Sequence, residues 1–184
     1  MDSEKSTAVK NILLVDDDAR DVELTLAALG EHHLANKVTV VDNGEEALDY
    51  LYRRGKFKLR AGPNPIVVLL DNKMPKVNGL EVLKTIKADE QLRIIPVVVL
   101  TSSCETPDLI EFYEHGVNAY VVKPVDFNEF ARAIKQLGLF WAVVNEPPPN
   151  TAREDTMIGK GEALSPGRRM VEKETPTLHP ALAA

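Results

Sequence analysis

Five short apolar runs punctuate the chain: Asn11–Val15, Val38–Val41, Ile66–Leu70, Val97–Leu100 and Ala119–Val122. Most are rich in valine and isoleucine and lack alternation with polar residues. A strand with one wet face alternates, whereas a strand covered on both faces does not. The runs therefore predict five strands buried on both sides. Between them the apolar period lengthens to that of a helix. Val22, Leu26 and Leu29 recur at helical spacing, as do Leu48, Leu51 and Tyr52. Val82, Leu83 and Ile86 come next, then Leu109, Phe112 and Tyr113.

Capping residues mark the starts of these helices. Asn43 has Glu46 three residues on, Asp126 has Glu129, and Thr106 precedes Pro107 at a first helical position. Strands alternating with helices predict a doubly wound parallel sheet with right-handed crossovers.

The pattern stops near Glu146. The last 39 residues hold six of the twelve prolines and no aromatic residue, and their six acids nearly balance five bases. Such a segment buries too little apolar surface to offset its ordering entropy. The expected organisation is a short flexible N-terminus over 1–9, one domain over 10–145 and a disordered tail over 146–184. No stretch approaches the roughly 18 to 20 apolar residues of a membrane span. The first ten residues are too polar for a signal peptide, so a cytoplasmic protein is expected. The net charge of −6 argues against a general nucleic-acid binder. The one cysteine, Cys104, excludes an intrachain disulfide and reads as a passive small side chain.

Candidate chemistry lies just past the end of each strand. In an open parallel sheet, sites form beyond the carboxyl ends of the strands. Asp16, Asp17 and Asp18 come after the first run, Asp71 after the third, Thr101 after the fourth and Lys123 after the fifth. Taken singly, each has a bland explanation. Three aspartates make a solvated turn, with Asp18 capping the first helix. A lysine or threonine at a strand end is usually surface or cap. Together they bring acids, a hydroxyl and an amine to one place. Clustered carboxylates repel unless a cation intervenes. Oxygen-only ligands suit Mg²⁺. A carboxylate is also a nucleophile able to form an aspartyl-phosphate, and a metal and an ammonium would neutralise the transferring phosphoryl group. Asp71, alone at its strand end, is the candidate nucleophile.

The motifs "ILLVDDD", "LLDNKMPKVNG", "VVVLTSS" and "YVVKP", in this order, resemble the receiver domain of two-component response regulators over about residues 10–145. The wording "DYLYRRGKF", "IPVVVLTSS" and "LGLFWAVVNEPPP" is similar to single-domain regulators that accompany bacterial phytochromes and other sensor kinases. The resemblance implies a flavodoxin-like (βα)₅ sheet with strand order 2-1-3-4-5. It implies Asp71 as phosphoacceptor and Mg²⁺ held by Asp17 and Asp71, by Asp16 through water, and by the Lys73 carbonyl. It further implies Thr101 as the switch hydroxyl, Lys123 as the phosphoryl-pairing amine and Tyr120 as an aromatic that moves inward on activation. Tyr120 also reads as strand packing, which is what an aromatic in a strand most often does. The implied donor is a histidine kinase or a phosphotransfer protein.

Two features lie outside that pattern. The segment from Arg53 to Pro65 is long and basic for a helix-to-strand loop, and reads either as a kinase contact or as a solvated insertion. Phe130, Ile134, Leu137, Trp141 and Val144 form one apolar seam on the last helix, with Phe140 beside it. A homodimer through this seam is expected. The competing reading has Gly138 capping the helix and the aromatics folding back. A haloacid-dehalogenase-like phosphohydrolase would use Asp16 as nucleophile in an Asp-x-Asp-x-Thr/Val arrangement, but Ala19 and Arg20 come directly after Asp18. No glycine-rich phosphate loop succeeds the first strand, and no helix-turn-helix succeeds the domain.

Overall fold

The computed structural model describes residues 11–30, 38–102, 105–124 and 126–146. Cys104, residues 1–9 and all but the first residue of the expected tail lie outside the described residues. The strands are β1 (Ile12–Val15), β2 (Val38–Val41), β3 (Val67–Asp71), β4 (Val97–Thr101) and β5 (Ala119–Val122). The helices are α1 (Ala19–Gly30), α2 (Gly44–Tyr52), α3 (Gly79–Ala88), α4 (Thr106–Glu114) and α5 (Phe127–Leu139), the last extended by a π-helical turn over Phe140–Val144. All strand pairs are parallel, in the order β2-β1-β3-β4-β5. The flavodoxin-like (βα)₅ expectation holds.

The unalternating runs have a simple cause. Successive side chains of a strand point to opposite faces. Leu13, Val15, Val68, Leu70, Val97 and Val99 enter one core with α2, α3 and Phe112 of α4. Ile12, Leu14, Val67, Leu69, Val98 and Leu100 enter the other with α1 and α5. Each fully buried aliphatic side chain contributes about 1.5–3 kcal/mol, so only strands covered on both sides draw this much from four or five residues. The edge strands differ from the expectation. β2 and β5 are largely half-buried, because a sheet edge lacks one neighbouring strand and part of its cover.

Helix starts obey the expected chemistry with one correction. Asn43 accepts a hydrogen bond from the Glu46 amide at 2.9 Å and Asp126 from the Glu129 amide at 3.0 Å. Asp18 accepts from the Arg20 amide at 2.8 Å, as its capping role requires. Thr106, however, lies inside α4. Its cap is Glu105, which makes no side-chain capping bond. The proline there tolerates an uncapped first turn, since it has no amide hydrogen to satisfy. Asn78 and Glu81 form a reciprocal capping box that starts α3 directly after the site loop.

The seam on the last helix splits in two. Phe130 and Ile134 are buried in the domain's own core, and Leu137 and Trp141 pack against it, so Phe130 and Ile134 are not surface residues. The helix runs through Gly138, which does not cap it. The π turn then rotates the helix face. Phe140, Val143 and Val144 end on the outside, 48%, 62% and 69% exposed.

Candidate functional site

Strand register assembles the site. Val15 of β1 pairs with Leu70 of β3, so Asp16 and Asp71 come next on neighbouring strands. Asp71 pairs with Leu100 of β4, which puts Thr101 one step further. Thr101 pairs with Val122 of β5, and Lys123 comes next. The Lys123 amide donates to the Thr101 carbonyl at 2.7 Å, fixing where the lysine leaves the sheet. Asp16, Asp71, Thr101 and Lys123 thus share the carboxyl edge, as the strand-end reading required. Asp17 lies at the same edge and is exposed.

Lys123 is the hub. Its Nζ lies 2.9 Å from Asp16 Oδ2, 2.8 Å from Asp71 Oδ1 and 2.6 Å from Asp21 Oδ2. The second Asp71 oxygen, Oδ2, accepts from the Lys73 amide at 2.7 Å. Asp16 Oδ1 accepts from the Asp18 amide at 3.0 Å. Asp16, Asp71 and Thr101 are all buried. Burial pushes the Asp16 carboxyl above the ordinary carboxylate range, and the Lys123 ammonium offsets only part of this. Burial also pulls the ammonium down, but the hydrogen bonds it donates to Asp21, Asp71 and Asp16 outweigh this, and the net shift is upward. The two directions agree physically. Desolvation disfavours both charges, yet one lysine has three acids to restore it while each acid shares one lysine.

Gly79 brings the loop close. Its amide donates to the Asn72 carbonyl at 2.9 Å, and a Cβ there would collide with the Asp71 carbonyl oxygen. Tyr120 is half-buried, with its ring 5.6 Å from that of Phe112 at a 57° tilt.

Asp21 did not emerge from the sequence. A signal existed, since the first turn of α1 starts beside the tip of β1. First-turn acids are common for the helix dipole alone, so the residue passed as ordinary.

The donors fit a hard divalent cation. They are oxygen only, and three carboxylates share a single ammonium, which leaves negative charge in excess at the site. Among the described residues no three acidic, histidine or cysteine side chains form a ready-made metal cage. Mg²⁺ requires none, because it takes one or two carboxylates and keeps waters.

Fold and cluster together define a parallel α/β signalling domain centred on a buried aspartate. The chain belongs to the response regulator receiver domain family, which it matches over residues 12–135. It is a phosphoacceptor signalling protein, not a conventional enzyme. It is similar to the response regulator Rcp1 of Synechocystis sp., 34% identical over 139 residues that cover 76% of this chain and 93% of Rcp1. The solved Mn²⁺-bound form of Rcp1 superposes with a TM-score of 0.70, covering 76% of this chain and 99% of that one at 33% identity. The bacteriophytochrome response regulator RtBRR is 60% identical, with a TM-score of 0.62 and coverage of 77% and 86%. The phosphorylated cyanobacterial phytochrome response regulator RcpA is 34% identical, with a TM-score of 0.71 and coverage of 76% and 98%. No helix among the described residues is long and apolar enough to cross a membrane.

Proposed function

We propose that Asp71 is the phosphoacceptor, and that the chain takes a phosphoryl group from a phosphohistidine on a sensor kinase or phosphotransfer protein. The observation that carries this reading is the Asp71 carboxylate itself. It is buried and alone at the end of β3, one oxygen on an ammonium and the other on a backbone amide. A carboxylate oxygen attacks phosphorus, the phosphorus–nitrogen bond breaks, and the imidazole leaves. The product is an acyl phosphate, which water later hydrolyses back to the carboxylate. Lys123 then pairs with phosphoryl oxygens and the Thr101 hydroxyl turns to meet them. Tyr120 moves inward as the space beside Thr101 changes, and two preexisting conformations exchange weight. Mg²⁺ would be held by Asp17, Asp71 and the Lys73 carbonyl, with Asp16 reaching it through water, and would neutralise charge on the phosphoryl oxygens. The likeness to the bacteriophytochrome response regulator RtBRR and the phytochrome response regulator RcpA supports a phytochrome-type kinase as donor.

The test is phosphoryl uptake from acetyl phosphate and from a phosphorylated histidine kinase. Asp71→Asn is expected to cut labelling by about a hundredfold or more, since the amide that replaces the carboxylate at the end of β3 is no nucleophile. Labelling at the wild-type rate would move the acceptor elsewhere.

The reading includes a homodimer through the end of α5, with its surface now limited to Phe140, Val143 and Val144. These three exposed apolar residues share one turn, while the other side of the helix fills the domain's own core. Sedimentation of Val143→Asp against wild type across a dilution series tests it. Loss of a heavier species supports the dimer, and equal mass at every concentration removes it. Trp141 is unsuitable for this test because it is partly buried and packs against the domain's own core.

A further inference from the structure

Three carboxylates hold Lys123, and two of them have other work. With Asp71 as acceptor, Asp16 serves the metal and Asp71 becomes an acyl phosphate. Each loses its hold on the ammonium at some point in the cycle. Asp21 has neither task. It stands in the first turn of α1, off the sheet, with its side chain 30% exposed, and it makes the shortest of the three contacts at 2.6 Å. Lysine is a compact charge on a flexible four-carbon stem, so without a fixed partner its ammonium disperses over many rotamers. A group held in place before reaction contributes more to the transition state than one that must first be ordered.

We propose that Asp21 is a positioning residue for Lys123, keeping the ammonium at the phosphoryl position while Asp16 and Asp71 change partners. The proposal rests on Asp71 being the acceptor. In this role Asp21 acts only through the lysine, the partner its carboxylate holds in the structure. Its carboxylate comes from a helix, whereas the other two come from strand ends. Its hold therefore survives rearrangement of the loop after β3.

The experiment is a double-mutant cycle on the full chain, read as the initial rate of phosphoryl uptake from acetyl phosphate. Asp21→Asn should slow uptake about fivefold, and Asp21→Glu should recover most of the loss because it restores the charge. In a Lys123→Met background, Asp21→Asn should change the residual rate by less than about twofold, since the residue it acts through is gone. An equal Asp21→Asn effect in both backgrounds would show a general charge effect and overturn the proposal. Faster uptake by Asp21→Asn would also overturn it, because Asp21 would then be drawing the ammonium away. Asp71→Asn separates the acceptor assignment from the Asp21 role. If Asp71→Asn abolishes labelling while Asp21→Asn leaves the rate unchanged, only the Asp21 role falls. If Asp71→Asn keeps its label, the acceptor assignment falls and this role falls with it. Thermal melting of each variant guards against misfolding, and the recovery by Asp21→Glu does so independently.

Discussion

Two charged regions of this domain use charge in opposite ways. At the carboxyl edge of the sheet, three acids share one lysine. In the loop from Arg53 to Pro65, five cations lie within eight residues, and most are committed to fixed local partners. Arg53 donates to the Gly62 carbonyl at 2.8 Å. Arg60 donates to the Tyr50 and Pro63 carbonyls at 3.2 and 2.8 Å and to the Asn64 side chain at 3.0 Å. Its guanidinium also stacks 4.3 Å from the Tyr50 ring centroid. Arg54 and Lys56 pair with Asp49 and Glu46 of the preceding helix. A cation bound to backbone carbonyls has one geometry and no competitor. A lysine shared among three acids can be passed from one to another, and the acids in excess can receive a different cation. The loop spends its charge on shape, and the site keeps its charge exchangeable. Of the two readings of the loop, a kinase contact or a solvated insertion, these local bonds favour the insertion, with the addition that its cations are tied to the loop and the preceding helix.

The hardest test of that contrast is removal of the hub. Lys123→Met leaves Asp16 and Asp71, 3% and 8% exposed, facing each other without a cation. Breaking a buried pair from one side is costly, so the expected loss is about 2–4 kcal/mol in metal-free buffer. For a domain of this size that lowers the melting midpoint by roughly 6–16 °C. Added Mg²⁺ should restore more of the midpoint in the variant than it adds to wild type, because the ion then supplies the only compensating charge. Calorimetry with and without Mg²⁺ reads both numbers. Equal metal responses in variant and wild type would mean that the acids and the lysine are not coupled, and the exchangeable-site idea would go.

The same contrast explains what was legible beforehand. Apolar runs without alternation report burial on two faces directly, so the central strands were readable from Ile12–Val15, Val67–Leu70 and Val97–Leu100, whereas their order in the sheet came only with the resemblance to receiver domains. Residues at strand ends were readable because a parallel sheet sends all its carboxyl ends one way. Asp21 was not, since its partnership with Lys123 spans 102 positions and joins a helix to a strand end. The seam of α5 misled for a related reason. A four-three spacing says that Phe130, Ile134, Leu137 and Trp141 share a face, but not whether that face meets its own sheet or another molecule. The π turn that swings Val143 and Val144 outward leaves no mark in the apolar spacing. The arginine bonds of the loop were equally hidden, because backbone carbonyls have no sequence signature.

A smaller effect, opposite in kind, is expected in the loop. Arg60→Met keeps much of the side chain's apolar length but removes three hydrogen bonds and the stacked charge over Tyr50. The half-buried carbonyls of Tyr50 and Pro63 then turn to water in part, so the cost is about 1–2 kcal/mol rather than the full sum of three bonds. Phosphoryl uptake from acetyl phosphate should stay within about twofold of wild type, because this cation is tied to the loop's own frame and faces no exchanging partner. Denaturant unfolding gives the first quantity and radiolabel uptake the second. The informative failure is the reverse pattern, with stability intact and uptake reduced. It would place Arg60 among the charges that act on phosphoryl transfer and erase the division between the two regions. If uptake fell only with a kinase as donor, the loop's charge would serve the partner as well as its own shape. The comparison would then hold for the free domain and fail in the complex.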